Sequence, residues 1–364
     1  MTIRKLGPHA RQAILCGLAC FVLLELGLAV AIDGWLPQFR DPFYGIKASG
    51  LRRHIKEKTC GPNAGESGDV AAKPPATVVM LGNSRTGHGL VARQLEIDLE
   101  RELGRRVVVF NFGLPAAGPM VELLSLRRLL AEGLRPDLLL VEVWAPFLTG
   151  PPVAETAFVT IDRLGNSDLP ALEQCHWPVA GLRKSWQRTW WVPSWSHRFA
   201  ILSMIVPTFV PGHLRQDWCR LADETGWVPN DVTVPPAQHG DLIARVQAEW
   251  QQLLEHFDPE TPSCQALRQI LETCRRERIP AALVLLPEGS EFRSLYRPEI
   301  WNEIQAFLHD LSAEHAVPVF DTRSWVVDED FSDAYHLLVR GAMSFTERLG
   351  REVVLPLLRE QDPK

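Results

Sequence analysis

The chain has 364 residues, of which 46% are hydrophobic and 23% charged, the balance of a globular protein rather than of a disordered or wholly membrane-embedded one. A chain of this length can bury a sizeable core in one large domain or two ordinary ones. The net charge of -6 excludes a nucleic-acid partner, because phosphate binding needs a basic face.

An apolar segment over residues 14–32 contains a single charge, Glu25. Its length is close to the roughly 20 residues that a helix needs to cross a bilayer. Three basic residues precede it and Asp33 follows it, so the positive-inside rule predicts a single-pass protein of the inner or plasma membrane. Its N-terminus would be cytoplasmic and the remainder extracytoplasmic, or periplasmic. The basic residues are Arg4, Lys5 and Arg11.

A cleaved signal peptide is the alternative for residues 1–32. Ala29-Val30-Ala31 is an A-x-A pattern behind an apolar stretch, which would place the cleavage site after Ala31. The length of the segment favours the uncleaved anchor. Both alternatives export the rest of the chain.

Residues 33–76 are predicted to be a juxtamembrane stalk. The stretch 61–76 is rich in Gly, Ala and Pro and has no hydrophobic periodicity, as is typical of a linker. We therefore expect the globular domain to cover residues 77–364. The seven cysteines form no C-x-x-C pair that indicates a metal, and neither a metal nor a cofactor is expected.

Short apolar, β-branched runs alternate with amphipathic stretches in this domain. Alternation of this kind predicts βαβ units and a doubly wound parallel sheet, an α/β fold. The predicted strands are 77–81, 106–110, 137–143, 281–286 and a fifth that begins at Pro318.

The stretch 146–262 interrupts this rhythm and is too long for a βα connection. We predict a largely helical insertion that packs as a cap over the sheet. It carries most of the twelve tryptophans. For those between Trp186 and Trp195 we expect core packing rather than stacking on sugar rings, because tryptophan is usually highly buried.

Ligands of an open parallel sheet bind beyond the carboxyl ends of its strands, and a serine lies at the first of these ends. Ser84 follows the first strand where the chain turns into a helix, so its hydroxyl would be exposed. Backbone N–H groups of that helix would lie nearby to stabilise an oxyanion. Alone, such a serine is equally typical of an ordinary turn.

Asp333 and His336 follow the fifth predicted strand. A hydroxyl nucleophile needs a base to take its proton, and the base needs an acceptor on its second ring nitrogen. A spacing of three residues brings carboxylate and imidazole to one side of a tight turn. The sequence therefore predicts a catalytic triad of Ser84, His336 and Asp333, against the alternative of a capping Asp and a surface His.

Five further polar residues are candidates for the pocket lining, because they also follow the ends of predicted strands. For Arg85 the alternatives are an anionic substrate or a structural ion pair. For Glu288 they are the pocket or a solvated, capping carboxylate. The candidates are Asn83, Arg85, Asn111, Glu142 and Glu288.

These residues resemble a known family. The strand followed by Gly82-Asn83-Ser84, Gly113 after the second strand, and Asp333-x-x-His336 near the end are similar to the first, second and fifth blocks of SGNH hydrolases. The tail DAYHLLVRGAMSFTERLG is similar to membrane-anchored members that transfer or remove acyl groups on envelope polymers. The resemblance covers about 77–145 and 280–360 and implies a flavodoxin-like SGNH fold.

The resemblance implies that Ser84 is the nucleophile, His336 the general base and Asp333 its orienting partner. It also implies an oxyanion hole formed by the backbone N–H groups of Ser84 and Gly113. The chain departs from the family after the third strand, where Gly-x-Asn-Asp is replaced by the residues 143–146, VWAP. An Asn that would complete the oxyanion hole is therefore missing, which can cost about a hundredfold in rate.

The predicted function is that of an extracytoplasmic serine esterase or O-acyltransferase. Its expected substrate is an acylated envelope carbohydrate or a lipid-linked molecule, with a membrane-bound acyl-donor protein as a candidate partner. The alternative is a non-catalytic SGNH-like domain that binds polymer or acts as a scaffold for a membrane acyltransferase. The missing Asn favours the alternative, whereas the complete Ser-Asp-His set favours the enzyme.

Overall fold

The computed structural model describes residues 7–60, 74–149, 159–179, 181–212, 215, 217–232 and 234–361. The first six residues, with Arg4 and Lys5, lie outside this range, as does most of the predicted linker, 61–73. The described residues form two compact units. The smaller unit draws on 1–45, 160–169 and 179–216, and the larger on the rest of the chain.

The elements in chain order begin with two helices and then alternate between strands and helices. The strands are β1 (Ala76–Gly82), β2 (Val107–Gly113), β3 (Leu138–Glu142), β4 (Ala281–Leu285) and β5 (Val319–Asp321). The helices are α1 (Pro8–Gly34), α2 (Pro42–Cys60), α3 (Ser84–Gly89), α4 (Ala92–Leu103), α5 (Pro119–Ala131), α6 (Ala145–Leu148), α7 (Leu169–Gln174), α8 (Leu182–Trp191), α9 (Pro193–Ser196), α10 (Arg198–Ile205), α11 (Pro236–Trp250), α12 (Pro262–Glu277), α13 (Ser290–Arg293), α14 (Pro298–His315), α15 (Val339–Leu349) and α16 (Leu355–Gln361), with a π-helical turn, Gly350–Val354, before the last.

The larger unit is built on a five-stranded parallel sheet with the order β2-β1-β3-β4-β5. This is the doubly wound order of the flavodoxin-like class, in which the direction of winding reverses between β1 and β3. The α/β fold predicted from the alternating pattern is confirmed. All five predicted strands are present, with boundaries that differ by at most three residues from those predicted.

The sheet is buried because helices cover both of its faces. On one face, Leu95 of α4 and Phe345 and Leu349 of α15 join the core with Val78 and Met80 of β1. On the other, α5 packs with α12. Every residue of β1 to β4 is buried, which explains why these strands read as continuous apolar runs rather than as an alternating pattern.

The stalk predicted for residues 33–76 is wrong over most of its described part. Helix α2 spans 19 residues there, and its C-terminal part belongs to the larger unit. The Nζ of Lys47 is buried and donates to the carbonyl oxygens of Asn111 (3.0 Å) and Gly226. Further along the helix, His54 lies 2.6 Å from the Glu96 carboxylate of α4. These contacts place the segment in the core of the domain.

The predicted insertion 146–262 divides between the two units, so the expectation that it forms a single element is wrong. Helices α8, α9 and α10 belong to the smaller unit, in which α8 and α9 pack with α1 and α10 packs with the turn Pro37–Phe39. Core packing of the tryptophans fails in part, since Trp191 and Trp195 are 62% and 67% exposed. Trp186 is half-buried, and its indole N–H donates to the Leu164 carbonyl at 3.1 Å.

Helix α1 is long and apolar enough to cross a membrane, with a mean hydropathy of 2.5 over its best 18-residue window. Within the described residues it is the one helix that meets this test. It covers the apolar segment predicted at 14–32 and extends it at both ends.

Candidate active site

The first part of the site is the turn from β1 into α3. Asn83 caps α3, because its side-chain oxygen accepts the Arg85 backbone N–H at 2.7 Å. Ser84 is then the first helical residue and stays partly exposed. A side chain at Gly82 would collide with Thr86 and with the Glu142 carboxylate, so glycine is needed here. The Gly-Asn-Ser sequence thus has a structural reason at each position.

Ser84, His336 and Asp333 form one hydrogen-bonded chain. Ser84 Oγ lies 2.7 Å from His336 Nε2, and His336 Nδ1 lies 2.7 Å from Asp333 Oδ2. Because a carboxylate can only accept, Nδ1 carries the proton and donates to Asp333. This leaves the Nε2 lone pair to accept the Ser84 hydroxyl proton. The three residues predicted as a triad are therefore in the geometry of a nucleophile, a base and an orienting carboxylate.

The loop that carries His336 is held in a single conformation by its own backbone. An antiparallel bridge between Phe331 and Leu337 closes it, and the Asp333 Oδ1 atom accepts the His336 backbone N–H at 2.8 Å. Asn230 supports the loop from outside, since its Nδ2 group donates to Ser332 Oγ (2.9 Å) and to the Leu337 carbonyl (3.1 Å). The imidazole is thus positioned by contacts within the protein itself.

Asp333 is ionised more readily than an ordinary aspartate. Burial alone would raise its pKa, but the hydrogen bond and charge of His336, together with two backbone N–H groups, outweigh burial and hold the pKa below its usual value. A carboxylate that stays charged is the partner that an imidazolium needs when His336 takes up the serine proton.

Glu142 is not a pocket residue, contrary to the prediction. It is 2% exposed, and its Oε2 atom accepts the Asn83 N–H (2.9 Å), the Thr86 N–H (3.3 Å) and the Thr86 hydroxyl (2.6 Å). A buried carboxylate that accepts three hydrogen bonds from the β1–α3 turn holds that turn in place. Its role is therefore to position Ser84 without facing a ligand.

Arg85 and Glu288 also point into the protein. Arg85 is 2% exposed and donates to the Leu286 and Pro287 carbonyls, with Glu142 at 3.4 Å and Glu288 at 3.7 Å. Burial raises the pKa of Glu288, with Arg85 and Arg323 opposing the rise. The structural ion pair, rather than an anion site, is the alternative that the structure supports for Arg85.

Asn83 and Asn111 complete the set of candidates that line no pocket, since both are buried. The side-chain amide of Asn111 donates to the carbonyls of Thr86 (2.7 Å) and Leu90 (2.9 Å), while its oxygen accepts the Gly113 N–H at 3.0 Å. The implied oxyanion donor of Gly113 is therefore already engaged. Gly113 contributes space instead, because a Cβ there would lie 2.7 Å from the Asn83 carbonyl oxygen.

The Ser84 backbone N–H remains as an oxyanion donor. It is the first N–H of α3 and makes no hydrogen bond within the part of the chain that the structure describes. First-turn N–H groups of a helix lack intrahelical acceptors and point toward the N-terminus. Of the two donors that the family resemblance implied, this one is available to a bound substrate.

Trp144 lies in the stretch after β3, residues 143–146, where the resemblance implies Gly-x-Asn-Asp and where Ala145 stands at the Asn position. The centre of the Trp144 ring lies 5.7 Å from the centre of the Phe292 ring and 5.2 Å from that of Tyr335. The Arg85 guanidinium carbon lies 5.1 Å from the same centre. Tyr335 in turn lies 4.4 Å from the His336 ring. Trp144 therefore packs beneath the His336 loop and supports it through aromatic contacts.

His88 is a site residue that the sequence analysis missed. It lies one helical turn after Ser84, and its ring meets His336 edge-on at 5.5 Å between centres. Its Nδ1–H donates to the Val228 carbonyl at 2.8 Å. Burial lowers the pKa of His88, which keeps it neutral beside the base. The spacing of four residues from Ser84 on a predicted helix was the available signal.

Comparisons with known proteins give no family assignment. No protein-family model matches the chain, and no curated protein matches it. The lipase/acylhydrolase from Enterococcus faecalis is similar with 14% identity and a TM-score of 0.33, over 79% of this chain and 98% of that one. The lipase Lip_vut3 from a goat rumen metagenome is similar with 14% identity and a TM-score of 0.32, over 77% of this chain and 99% of that one. TM-scores this low do not support a shared fold or function. The fold is therefore assigned from the strand order of the parallel sheet.

The arrangement is suited to nucleophilic attack by Ser84 on an ester carbonyl. His336 can take the hydroxyl proton and return it to a leaving group, and the Ser84 N–H can stabilise the oxyanion. Within the described ranges, no group of three or more His, Cys, Asp or Glu side chains is arranged to hold a metal ion.

Proposed function

We propose that this chain is a membrane-anchored serine esterase or O-acyltransferase that acts through an acyl-enzyme on Ser84. The observation that carries the proposal is the pair of 2.7 Å contacts from Ser84 to His336 and from His336 to Asp333. Turn serines and surface histidines are common singly, whereas a relay of all three at the carboxyl edge of a parallel sheet is the arrangement that catalysis requires.

The reaction has two steps. Ser84 Oγ forms a bond to the acyl carbon as its proton passes to His336, and the alcohol leaves with that proton. In the second step an acceptor hydroxyl gives its proton to His336 and attacks the same carbon, the bond from that carbon to Ser84 Oγ breaks, and Ser84 takes the proton back from His336. Water as the acceptor gives an esterase, and a glycan hydroxyl gives an O-acyltransferase.

Helix α1 supports anchoring at the membrane. Cleavage after Ala31 would remove Glu25 and Ala29, both of which are buried within the smaller unit. Glu25 accepts a hydrogen bond from the Ser194 backbone N–H at 3.1 Å, so the helix is part of that unit's packing. We therefore favour a retained single-pass anchor over a cleaved signal peptide, with Arg11 on the cytoplasmic side and the sheet domain outside.

Membrane tethering in turn favours an acylated envelope carbohydrate or a lipid-linked molecule as the substrate. Such molecules are available at the outer face of the membrane, where the anchor would hold the site. For a transferase, a membrane-bound acyl-donor protein is the proposed partner.

A non-catalytic scaffold is the second candidate, and one observation favours it. The Gly113 N–H donates to the Asn111 side chain, and Ala145, which has no side-chain donor, stands where a third oxyanion donor is expected. Loss of such donors slows acyl transfer by about a hundredfold or more each. The proposed enzyme would accordingly be slow with simple esters.

The test is an assay of the full-length protein in detergent with p-nitrophenyl acetate and with an O-acetylated polysaccharide. We expect ester cleavage that Ser84→Ala abolishes. Wild-type protein that is folded by circular dichroism but cleaves neither substrate, with or without an added glycan acceptor, would favour the scaffold.

A further inference from the structure

The smaller unit exposes an unusual number of large apolar side chains over residues 182–209, which we name the Trp-rich segment. Trp191 and Trp195 are 62% and 67% exposed, and Phe209 is 82% exposed. A soluble surface rarely gathers such side chains, because exposed apolar patches favour association. Phe199, Leu202 and Ile205 extend the same surface.

The Trp-rich segment is fixed to helix α1 by polar contacts at two levels. Ser194 donates its backbone N–H to Glu25 at 3.1 Å, and its hydroxyl donates to the same carboxylate. Nearer the end of α1, the Trp190 indole N–H donates to Asp33 at 3.0 Å. The segment therefore runs beside the C-terminal third of α1.

The position of Glu25 sets the depth of this contact. Glu25 lies 17 residues after Pro8, the first residue of α1, which is about 26 Å along the axis. The hydrocarbon core of a bilayer is about 30 Å thick. Even if the core began at Pro8, Glu25 would lie inside its outer edge, and a later start or a tilt places it deeper. Ser194 must lie at the same depth.

The charges of the Trp-rich segment match a lipid surface. It contains basic residues and no acidic ones. The Arg198 guanidinium lies 4.0 Å from the centre of the Trp195 ring and 4.4 Å from that of Phe199, so the cation caps the aromatic patch. Tryptophan with arginine or lysine is the composition of membrane interfaces. The basic residues are Arg183, Lys184, Arg188 and Arg198.

From these observations we infer that the Trp-rich segment is a second membrane element, inserted into the outer leaflet beside α1. The inference rests on the membrane anchoring proposed above and adds a lipid-binding surface to it. The bilayer is favoured over a second copy or a partner protein because the apolar surface continues onto the exposed side chains of α1, such as Leu24. Lipid that surrounds α1 would cover both.

The test is quenching of tryptophan fluorescence by brominated lipids. The full-length protein is reconstituted into vesicles of phosphatidylcholine and phosphatidylglycerol, with and without bromines on the acyl chains. The double variant Trp191→Phe, Trp195→Phe is compared with a matched control, Trp301→Phe, Trp325→Phe, whose residues lie in the larger unit. Trp35, at the end of α1 and 77% exposed, reports on the anchor through Trp35→Phe.

We expect the first double variant to lose most of the quenchable emission and the control to lose none. If quenching depends on Trp35 but not on Trp191 and Trp195, the anchor stands and the outer-leaflet inference is overturned, with a partner protein as the remaining occupant. If bromolipids quench none of these tryptophans, the anchoring itself fails. Neither outcome touches the Ser84 chemistry, which the ester assay measures separately.

Discussion

Ser84 Oγ lies 2.7 Å from His336 Nε2, although the two residues are 252 positions apart in the sequence and follow strands that are not neighbours. β1 and β5 are separated by β3 and β4, which amounts to about 14 Å at the usual strand spacing. The loop after β5 crosses this distance along the sheet edge. It is held on the way by the Gly289 N–H, which donates to the Ala334 carbonyl at 2.7 Å.

Replacement of Asp333 by Asn removes the negative charge but keeps a side-chain oxygen that can hold the turn. The Asn oxygen can still accept the His336 backbone N–H, whereas the acceptor for Nδ1 is lost and the imidazole tautomer is no longer fixed. We expect kcat for ester cleavage to fall by about 10⁴-fold with an unchanged fold. Asp333→Ala should lose as much activity and also some stability. Wild-type kcat in Asp333→Asn would remove Asp333 from the mechanism.

The low pKa of Asp333 gives a pH-dependent contribution to stability. Its folded-state pKa lies below that of the unfolded chain, so the contribution is complete above the unfolded value, about 3.9, and is lost as the pH falls through the folded value. The difference in thermal midpoint between wild type and Asp333→Asn should therefore be largest at neutral pH and shrink below about pH 4. A difference that grew on acidification would contradict this assignment.

Loss of the Glu142 carboxylate should destabilise the β1–α3 turn. Glu142→Ala leaves three buried donors of Asn83 and Thr86 without that acceptor and removes the nearer of the two carboxylates that face Arg85. We expect a loss of about 3–5 kcal/mol in the free energy of unfolding. The control is Glu272→Ala, which removes an exposed pair and should cost at most about 1 kcal/mol. Equal costs in chemical denaturation would show that Glu142 does not hold the turn.

Gly113 should tolerate no side chain. A Cβ there would press against the Gly87 backbone and the Asn83 carbonyl oxygen, so Gly113→Ala must shift the turn that carries Ser84. We expect a cost of about 1–3 kcal/mol together with loss of activity. Gly240→Ala on α11 meets open space and should be neutral or slightly stabilising. Full activity in Gly113→Ala would contradict the close approach of the two backbones.

The sheet was predictable because its strands are buried on both faces and therefore read as apolar runs. The proximity of Ser84, His336 and Asp333 was predictable as well, since they follow the ends of strands, where ligands of such sheets bind, whereas their catalytic role stays a prediction. The five pocket candidates follow the same rule but point inward, because a side chain at a strand end can turn either way. Periodicity carries no signal for that choice; it depends on the donors that surround residues such as Glu142.

The wrong predictions for α2 and for the tryptophans concern contacts between residues that lie far apart in the sequence, or contacts with the surroundings of the chain. Helix α2 has a low apolar content and was predicted as a stalk, yet Lys47 and His54 are buried because carbonyls and Glu96 from distant parts of the chain meet them. Trp191 and Trp195 were predicted in the core from the usual burial of tryptophan. The structure leaves both rings exposed, and the proposed position in the outer leaflet would make that exposure favourable, whereas composition alone does not distinguish a core ring from a lipid-facing one.

The most direct test of the central claim is covalent labelling of the full-length protein with a fluorophosphonate probe, followed by mass spectrometry of the labelled peptide. A serine activated by His336 should be labelled at Ser84, and His336→Ala and Ser84→Ala should both abolish the label. Folded wild-type protein that remains unlabelled, or that is labelled equally after His336→Ala, would contradict an activated nucleophile at Ser84.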